Sequence, residues 1–202
     1  MSRHELAETT PAAFMHLASP GPDRFGYAHD TDLEAEAPLL YSVVRLLKPR
    51  RVVELGTRHG ISTRVLAEGL DGDGALYTID PEDCRPHLDH VACTFIELPG
   101  EAAFERAPGL WADVLFIDTD PHSYDQTLGW LDTWVQHRLV AGGVAMFHDI
   151  VPARRDIRVA DAVRDWLKPR RREGWSWVEY RPPRRRDLTY GPYGLGLLWR
   201  ER

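Results

Sequence analysis

Three acids and two histidines stand where short apolar runs end. Asp113-Val-Leu-Phe-Ile leads to Asp118, followed by Thr119-Asp120-Pro121-His122-Ser123-Tyr124. Val144-Ala-Met-Phe leads to His148 and Asp149. Ala75-Leu-Tyr-Thr-Ile ends at Asp80, and Val52-Val-Glu-Leu gives way at once to Gly56. Each run has the length and composition of a buried strand. In open parallel sheets, ligands bind beyond the carboxyl ends of the strands. Four such ends therefore point at one crevice. Histidine is well matched to taking up a proton near neutral pH, so His122 is the first choice of base there, with Asp120 and His148 behind it.

The stretch around Gly56 is the most informative. Residues 51–63 read Arg-Val-Val-Glu-Leu-Gly-Thr-Arg-His-Gly-Ile-Ser-Thr. A strand, a glycine turn and a helix are the parts of a nucleotide-binding βα unit. Gly56 lets the chain turn sharply, and Gly60 lets backbone approach a ligand without a Cβ in the way. The following helix offers unpaired N–H groups to an anion. The spacing Glu54-x-Gly56-x-x-x-Gly60-x-Ser62-Thr63 fits the dinucleotide fingerprint poorly. It resembles the first motif of class I S-adenosylmethionine (SAM)-dependent methyltransferases, above all the small O-methyltransferases related to catechol O-methyltransferase. The resemblance implies cofactor contacts from Glu54, Gly56, Thr57, Gly60 and Ser62. It places Asp80, 24 residues after Gly56, on the ribose hydroxyls. It brings Gly100 and Glu101 near the adenine and Asp118 near the cofactor.

The Asp118–Tyr124 and His148-Asp149 stretches resemble a branch of small-molecule methyltransferases carrying Ile-Asp-Gly-Asp-His-Ser-Tyr and Gly-Gly…His-Asp. Relatives include metal-dependent O-methyltransferases of sugar and antibiotic biosynthesis and cephalosporin-hydroxylase-like proteins. Thr119 replaces the glycine, and Pro121 is an extra residue before His122. The resemblance implies a divalent ion between strands four and five, held by Asp118, His148 and Asp149. Mg2+ wants oxygen ligands, whereas an imidazole favours Mn2+, Fe2+ or Zn2+. A site without metal stays open, with Asp118 on substrate or SAM. The implied reaction is methyl transfer from the sulfonium to an acceptor hydroxyl, in which the main service is alignment of nucleophile, methyl and sulfur.

These residues need a scaffold. At 202 residues the chain suits one domain with a full core. Asp32 or Pro38 opens a helix that Pro49 ends, and Asp71-Gly-Asp-Gly makes a turn. Strands are predicted at 52–55, 75–80, 91–98, 113–118, 144–148, 176–180 and 193–199. A helix follows Pro99, and another runs over 123–137. Strands alternating with helices give a Rossmann-like, doubly wound α/β sheet of seven mostly parallel strands. The resemblance implies that the last strand is antiparallel. The predicted organisation is an N-terminal arm over 1–30, with one short helix near Ala12–Leu17, and a methyltransferase domain over 31–202. The polar stretch 168–187 is read as an exposed excursion.

The chain carries a net charge of −6, split into −13 over residues 1–150 and +7 over residues 151–202. The basic runs Lys168-Pro-Arg-Arg-Arg and Arg181-Pro-Pro-Arg-Arg-Arg allow an RNA acceptor, but a charge run alone is weak evidence for one. No run approaches the roughly 18 apolar residues of a membrane span, and the N-terminus lacks a signal-peptide core. These features favour a cytoplasmic protein with a small-molecule acceptor. Cys84-x-x-His87-x-x-His90-x-x-Cys93 has metal-capable side chains at a spacing that does not converge on one point. A homodimer is expected from the arm and from apolar surface at Trp130 and Trp134. The alternatives are a hydroxylase-like metal protein on the same scaffold and a SAM-binding protein without turnover.

Overall fold

The computed structural model describes residues 25–28, 31–151, 155–170, 172–182 and 193–201. Seven strands form one sheet: β1 (Arg51–Leu55), β2 (Ala75–Asp80), β3 (Thr94–Glu97), β4 (Ala112–Ile117), β5 (Leu139–His148), β6 (Trp175–Tyr180) and β7 (Leu195–Arg200). Their order is β3-β2-β1-β4-β5-β7-β6. β1 to β5 pair in parallel, and β7 runs antiparallel to both β5 and β6. The doubly wound sheet with an antiparallel last strand is thus present. The strand order runs outward from β1 through β2 to β3 and resumes on the other side at β4, and such a switch point, between β1 and β4, opens a crevice at the strand ends.

Among the described residues six α-helical segments cover the sheet: α1 (Ala37–Leu47), α2 (Ile61–Leu70), α3 (Gly100–Arg106), α4 (Tyr124–Trp130), α5 (Gln136–Arg138) and α6 (Val159–Leu167), with a π-helical turn at Leu131–Val135 joining α4 to α5. One face buries Leu39, Leu40, Val44, Val65 and Leu66 from α1 and α2 against Val52, Val114 and Met146 of the sheet. The other buries Trp130, Leu131, Trp134, Val163 and Trp166 against Val53, Leu115 and Phe147. Burial on both faces explains why β1 and β4 read as continuous apolar runs rather than alternating ones. Helix α1 begins with Pro38 in its first turn, so Pro38 rather than Asp32 marks its start.

Four expectations need correction. β5 begins at Leu139, five residues early, because Leu139 pairs with Ala112 and the ladder then resumes at Val114–Val144 across a bulge at the two glycines. β3 is shorter than expected, spanning Thr94–Glu97. Helix α6 was hidden in the Arg-rich half. Its Val159, Ala160, Ala162, Val163 and Trp166 are buried at helical spacing, while charges cover its outer face. The tryptophans of α4 and the π-turn do not offer apolar surface, since Trp130 is 5% and Trp134 0% exposed. They close the core against α3 and offer no face for a dimer. The helix expected at Ala12–Leu17 lies outside the described residues, as do 183–187 of the Arg-rich excursion. Phe25 stacks edge-on against Tyr41 at 5.5 Å, and Arg64 lies over the Tyr27 ring, so the end of the arm packs on α1 and α2. Among the described residues, no helix is long and apolar enough to cross a membrane.

Candidate active site

β4 and β5 deliver the acids and histidines to one place. Asp118 leaves the end of β4, where its N–H donates to Leu55 O across the crevice. His148 is the last residue of β5, and Asp149 follows with φ +57°. His122 also has positive φ, at +57°, in the turn before α4, and this turn aims its ring back at the strand ends. Its Nε2 lies 3.0 Å from Asp118 Oδ1 and 2.9 Å from Asp149 Oδ2. Its Nδ1 lies 3.3 Å from Asp120 Oδ1, whose side chain is 77% exposed.

His148 sits behind this group, fully buried. Its Nδ1 is 3.3 Å from Asp118 Oδ1 and 3.5 Å from Asp149 Oδ2, in ion-pairing range, although neither ring nitrogen makes a well-aligned hydrogen bond among the described residues. The four groups therefore balance two carboxylates against two imidazoles. Burial opposes every charge here, and the pairing overrides it. It holds Asp118 and Asp149 below the usual carboxylate range, raises His122 to about 10 and raises His148 well above its usual value.

His122 is thus an imidazolium clamped by carboxylates. As placed, it has no free lone pair with which to take a proton. Asp120 is the most exposed of the acids beside it. Asp118, His122 and Asp149 each offer a ligand atom within 4.8 Å of the others, so the cation-capable set of the structure contains His122, with His148 adjoining it from behind. The donors suit a divalent cation. The spacings of 2.9 and 3.0 Å are about those of neighbouring ligands on an ion bound at roughly 2.1 Å. Cys84, His87, His90 and Cys93 form no such group among the described residues.

The glycine loop stands beside this cluster. Gly56 has φ +93°, and a Cβ on it would fall 1.9 Å from Asp118 O, so glycine is required by the neighbouring strand end as well as by the turn. Thr57 N and Arg58 N donate to Asp80 Oδ2 at 2.9 and 3.1 Å, and Glu82 N donates to Oδ1 at 3.0 Å. Asp80 thus holds the loop in shape from the end of β2, with its carboxylate still half-exposed beside the crevice.

Several residues expected at the cofactor face inward instead. Glu54 is fully buried and accepts hydrogen bonds from Ser62 Oγ, Thr63 Oγ1 and Thr78 Oγ1. The Thr57 hydroxyl pairs with Thr78 Oγ1 at 2.6 Å, and Thr57 is only 2% exposed. Gly60 backs onto His87 O and Leu88, each 3.0 Å from where a Cβ would stand, so chain rather than open space lies over it. Gly100 seats the Trp130 ring, 2.7 Å from a notional Cβ, and its carbonyl accepts from Trp134 Nε1. Glu101 is exposed in the first turn of α3.

Two features escaped the sequence. Trp130 Nε1 donates to Thr119 Oγ1 at 2.9 Å and pins the loop after β4 to α4. Glu36, with no exposed surface, accepts from Gly194 N at 2.6 Å and ties the start of α1 to the head of β7. An acid in a polar stretch before a helix gives no sign of burial. The departure Thr119 was visible, but its tryptophan partner was not.

The sheet order and the glycine loop after β1 have the arrangement of the class I methyltransferase fold. Residues 53–150 match a family model described as a methyltransferase domain. No curated protein matches the chain by sequence. The fold is similar to solved structures across nearly their whole length. A Klebsiella pneumoniae protein provisionally described as an O-methyltransferase shares 21% identity over 95% of this chain and 96% of its own, with a TM-score of 0.68. An O-methyltransferase of Bacillus cereus, in complex with S-adenosylhomocysteine (SAH), shares 17% over 96% and 88%, at 0.65. The O-methyltransferase TomG of Streptomyces achromogenes, involved in tomaymycin synthesis and solved with SAM, shares 19% over 100% of both chains, at 0.65.

Proposed function

We propose that this enzyme transfers the SAM methyl group to a hydroxyl of a small metabolite, with a divalent cation at Asp118, His122 and Asp149. The observation that carries the reading is the Asp118–His122–Asp149 cluster, set at the ends of β4 and β5 directly beside the glycine loop. SAM supplies an activated methyl on a sulfonium, and a bound cation would lower the pKa of an acceptor hydroxyl. The chain supplies the rest. Asp80 fixes the loop that receives the cofactor. Asp118 and Asp149 present oxygen ligands beyond adjacent strands, and the hydroxyl proton is assigned to Asp120, exposed beside His122. The Trp130–Thr119 bond holds the turn that carries Asp120 and His122, and such rigidity serves the in-line geometry that methyl transfer demands.

We read residues 31–202 as one methyltransferase domain and the acceptor as a sugar, phenol or natural-product intermediate, met in the cytoplasm. Calorimetric titration with SAH, followed by a methyl-transfer screen of diols, phenols and sugars with Mg2+ or Mn2+, tests it. Micromolar binding lost in Gly56→Trp, with metal-stimulated methyl ethers as product, is the expected outcome. A folded protein that binds no SAH in any metal state overturns the reading.

A further inference from the structure

Glu54 lies under the glycine loop in a closed set of hydroxyls. Ser62 Oγ is 2.5 Å from its Oε1, while Thr63 Oγ1 and Thr78 Oγ1 are each 2.6 Å from Oε2. Thr57 Oγ1 is 2.6 Å from Thr78 Oγ1. Each hydroxyl has one hydrogen to give. With Glu54 ionised, every hydrogen is committed: Ser62, Thr63 and Thr78 all donate to the carboxylate, and Thr57 must donate to Thr78. Ser62 then has only lone pairs to turn toward the crevice. With Glu54 protonated, the acid becomes a donor to Ser62 Oγ, and the serine hydrogen is released.

Ser62 stands in the first turn of α2, a ten-residue helix. The leading N–H groups of such a helix have no partners within it and favour an anion. A SAM molecule whose methionyl part lies on this loop brings a carboxylate there. An inward-pointing Ser62 and a buried Glu54 anion both oppose that carboxylate, and a proton on Glu54 removes both.

We propose that Glu54 is a proton-linked positioning residue: binding of the cofactor carboxylate at the head of α2 draws one proton from solvent onto Glu54, which turns the Ser62 hydroxyl from an inward to an outward donor. This inference rests on the SAM-dependent reading above. Burial pushes Glu54 up to about 7 against the three hydroxyl bonds that favour its anion, so the proton is within reach near neutrality. The titratable groups acting on it are Asp118 beyond β4, which raises it further, and Cys93 before β3. The carboxylate of Asp80 is turned to the loop N–H groups.

The test is SAH calorimetry on chelator-treated protein, in buffers of differing ionisation enthalpy, between about pH 7 and about pH 8.5. Wild type takes up close to one proton near pH 8, and its affinity falls by up to about tenfold per pH unit above about 7. Glu54→Gln, which holds the neutral pattern permanently, binds without uptake and with a flat profile. Ser62→Ala loses a donor to the buried carboxylate, so its melting temperature falls and its pH slope is reduced. The wild-type buffer series and Ser62→Ala decide the matter even if Glu54→Gln does not fold. SAH binding without proton uptake, or an unchanged slope in either variant, overturns this inference and leaves the methyltransferase reading standing. Absence of SAH binding at every pH overturns both.

Discussion

His122 Nε2 and Asp149 Oδ2 lie 2.9 Å apart although 27 residues separate them, and the contact joins the turn before α4 to the end of β5. The pairing holds the imidazole protonated to about 10, against an ordinary value of 6.5. Its stabilising contribution is therefore full below about 6.5 and is lost as the pH rises through about 10. Removing the cation leaves two partly buried carboxylates sharing His148 alone, so His122→Ala destabilises by about 3 kcal/mol near pH 7. Urea unfolding at neutral and alkaline pH measures both effects. The variant and wild type converge in stability above about pH 10, and equal stabilities at pH 7 refute the pairing.

Metal binding carries a proton signature. Two imidazoles held protonated by Asp118 and Asp149 must give up protons when a divalent cation replaces them as the positive partner. Mn2+ titration of the wild-type protein releases protons, with affinity rising as pH rises. Asp149→Ala reduces the affinity by at least about tenfold, the scale of losing one carboxylate ligand. Pair titrations in two buffers read the stoichiometry, and a pH-independent affinity argues against these residues as ligands.

Glu36 makes an opposite case. Burial raises it above its usual 4.5, outweighing the pull of His148, and one of its oxygens has no partner among the described residues. A folded carboxyl raised in this way costs stability as pH climbs above about 4.5. Glu36→Gln keeps an acceptor for Gly194 N–H without the charge, so it is neutral or stabilising near pH 8. Glu36→Ala loses the link between α1 and β7 and costs about 2 kcal/mol. Thermal melts of both variants at acid and alkaline pH separate the tether from the charge.

The Trp130–Thr119 bond is accessible to a double-mutant cycle. Trp130→Phe and Thr119→Val each remove one partner, and the coupling energy between them is about 1 kcal/mol. Because the bond holds the turn that carries His122, the paired change also lowers kcat more than it alters SAH affinity. A vanishing coupling energy, or a loss confined to SAH affinity, excludes that role.

The fold was legible where burial on both faces writes a short, mostly apolar run. Val52-Val-Glu-Leu, Leu76–Ile79 and Val114–Ile117 were placed within a residue of their ends. Helix α6 was not, because Arg158, Arg164 and Lys168 around its apolar stripe made the segment read as polar. At the site, Asp118, His148 and Asp149 were readable as strand-end residues. The roles within the group were harder to see. Nothing in Asp-Pro-His shows that a positive φ at His122 folds the ring back between two acids, or that a carboxylate in β1 spends its lone pairs on hydroxyls. Local sequence carries strand position well and distant side-chain partnership poorly.

Asp118 O stands 1.9 Å from where a side chain on Gly56 would begin. The loop assigned to the cofactor and the first residue of the acid cluster therefore share a single wall one backbone thick. Neither half can drift in evolution without the other. Insertions after β1 or after β4 must open away from this wall, toward the exposed rims, and there a lineage is free to reshape what the enzyme accepts while the partition between its two reactants stays put.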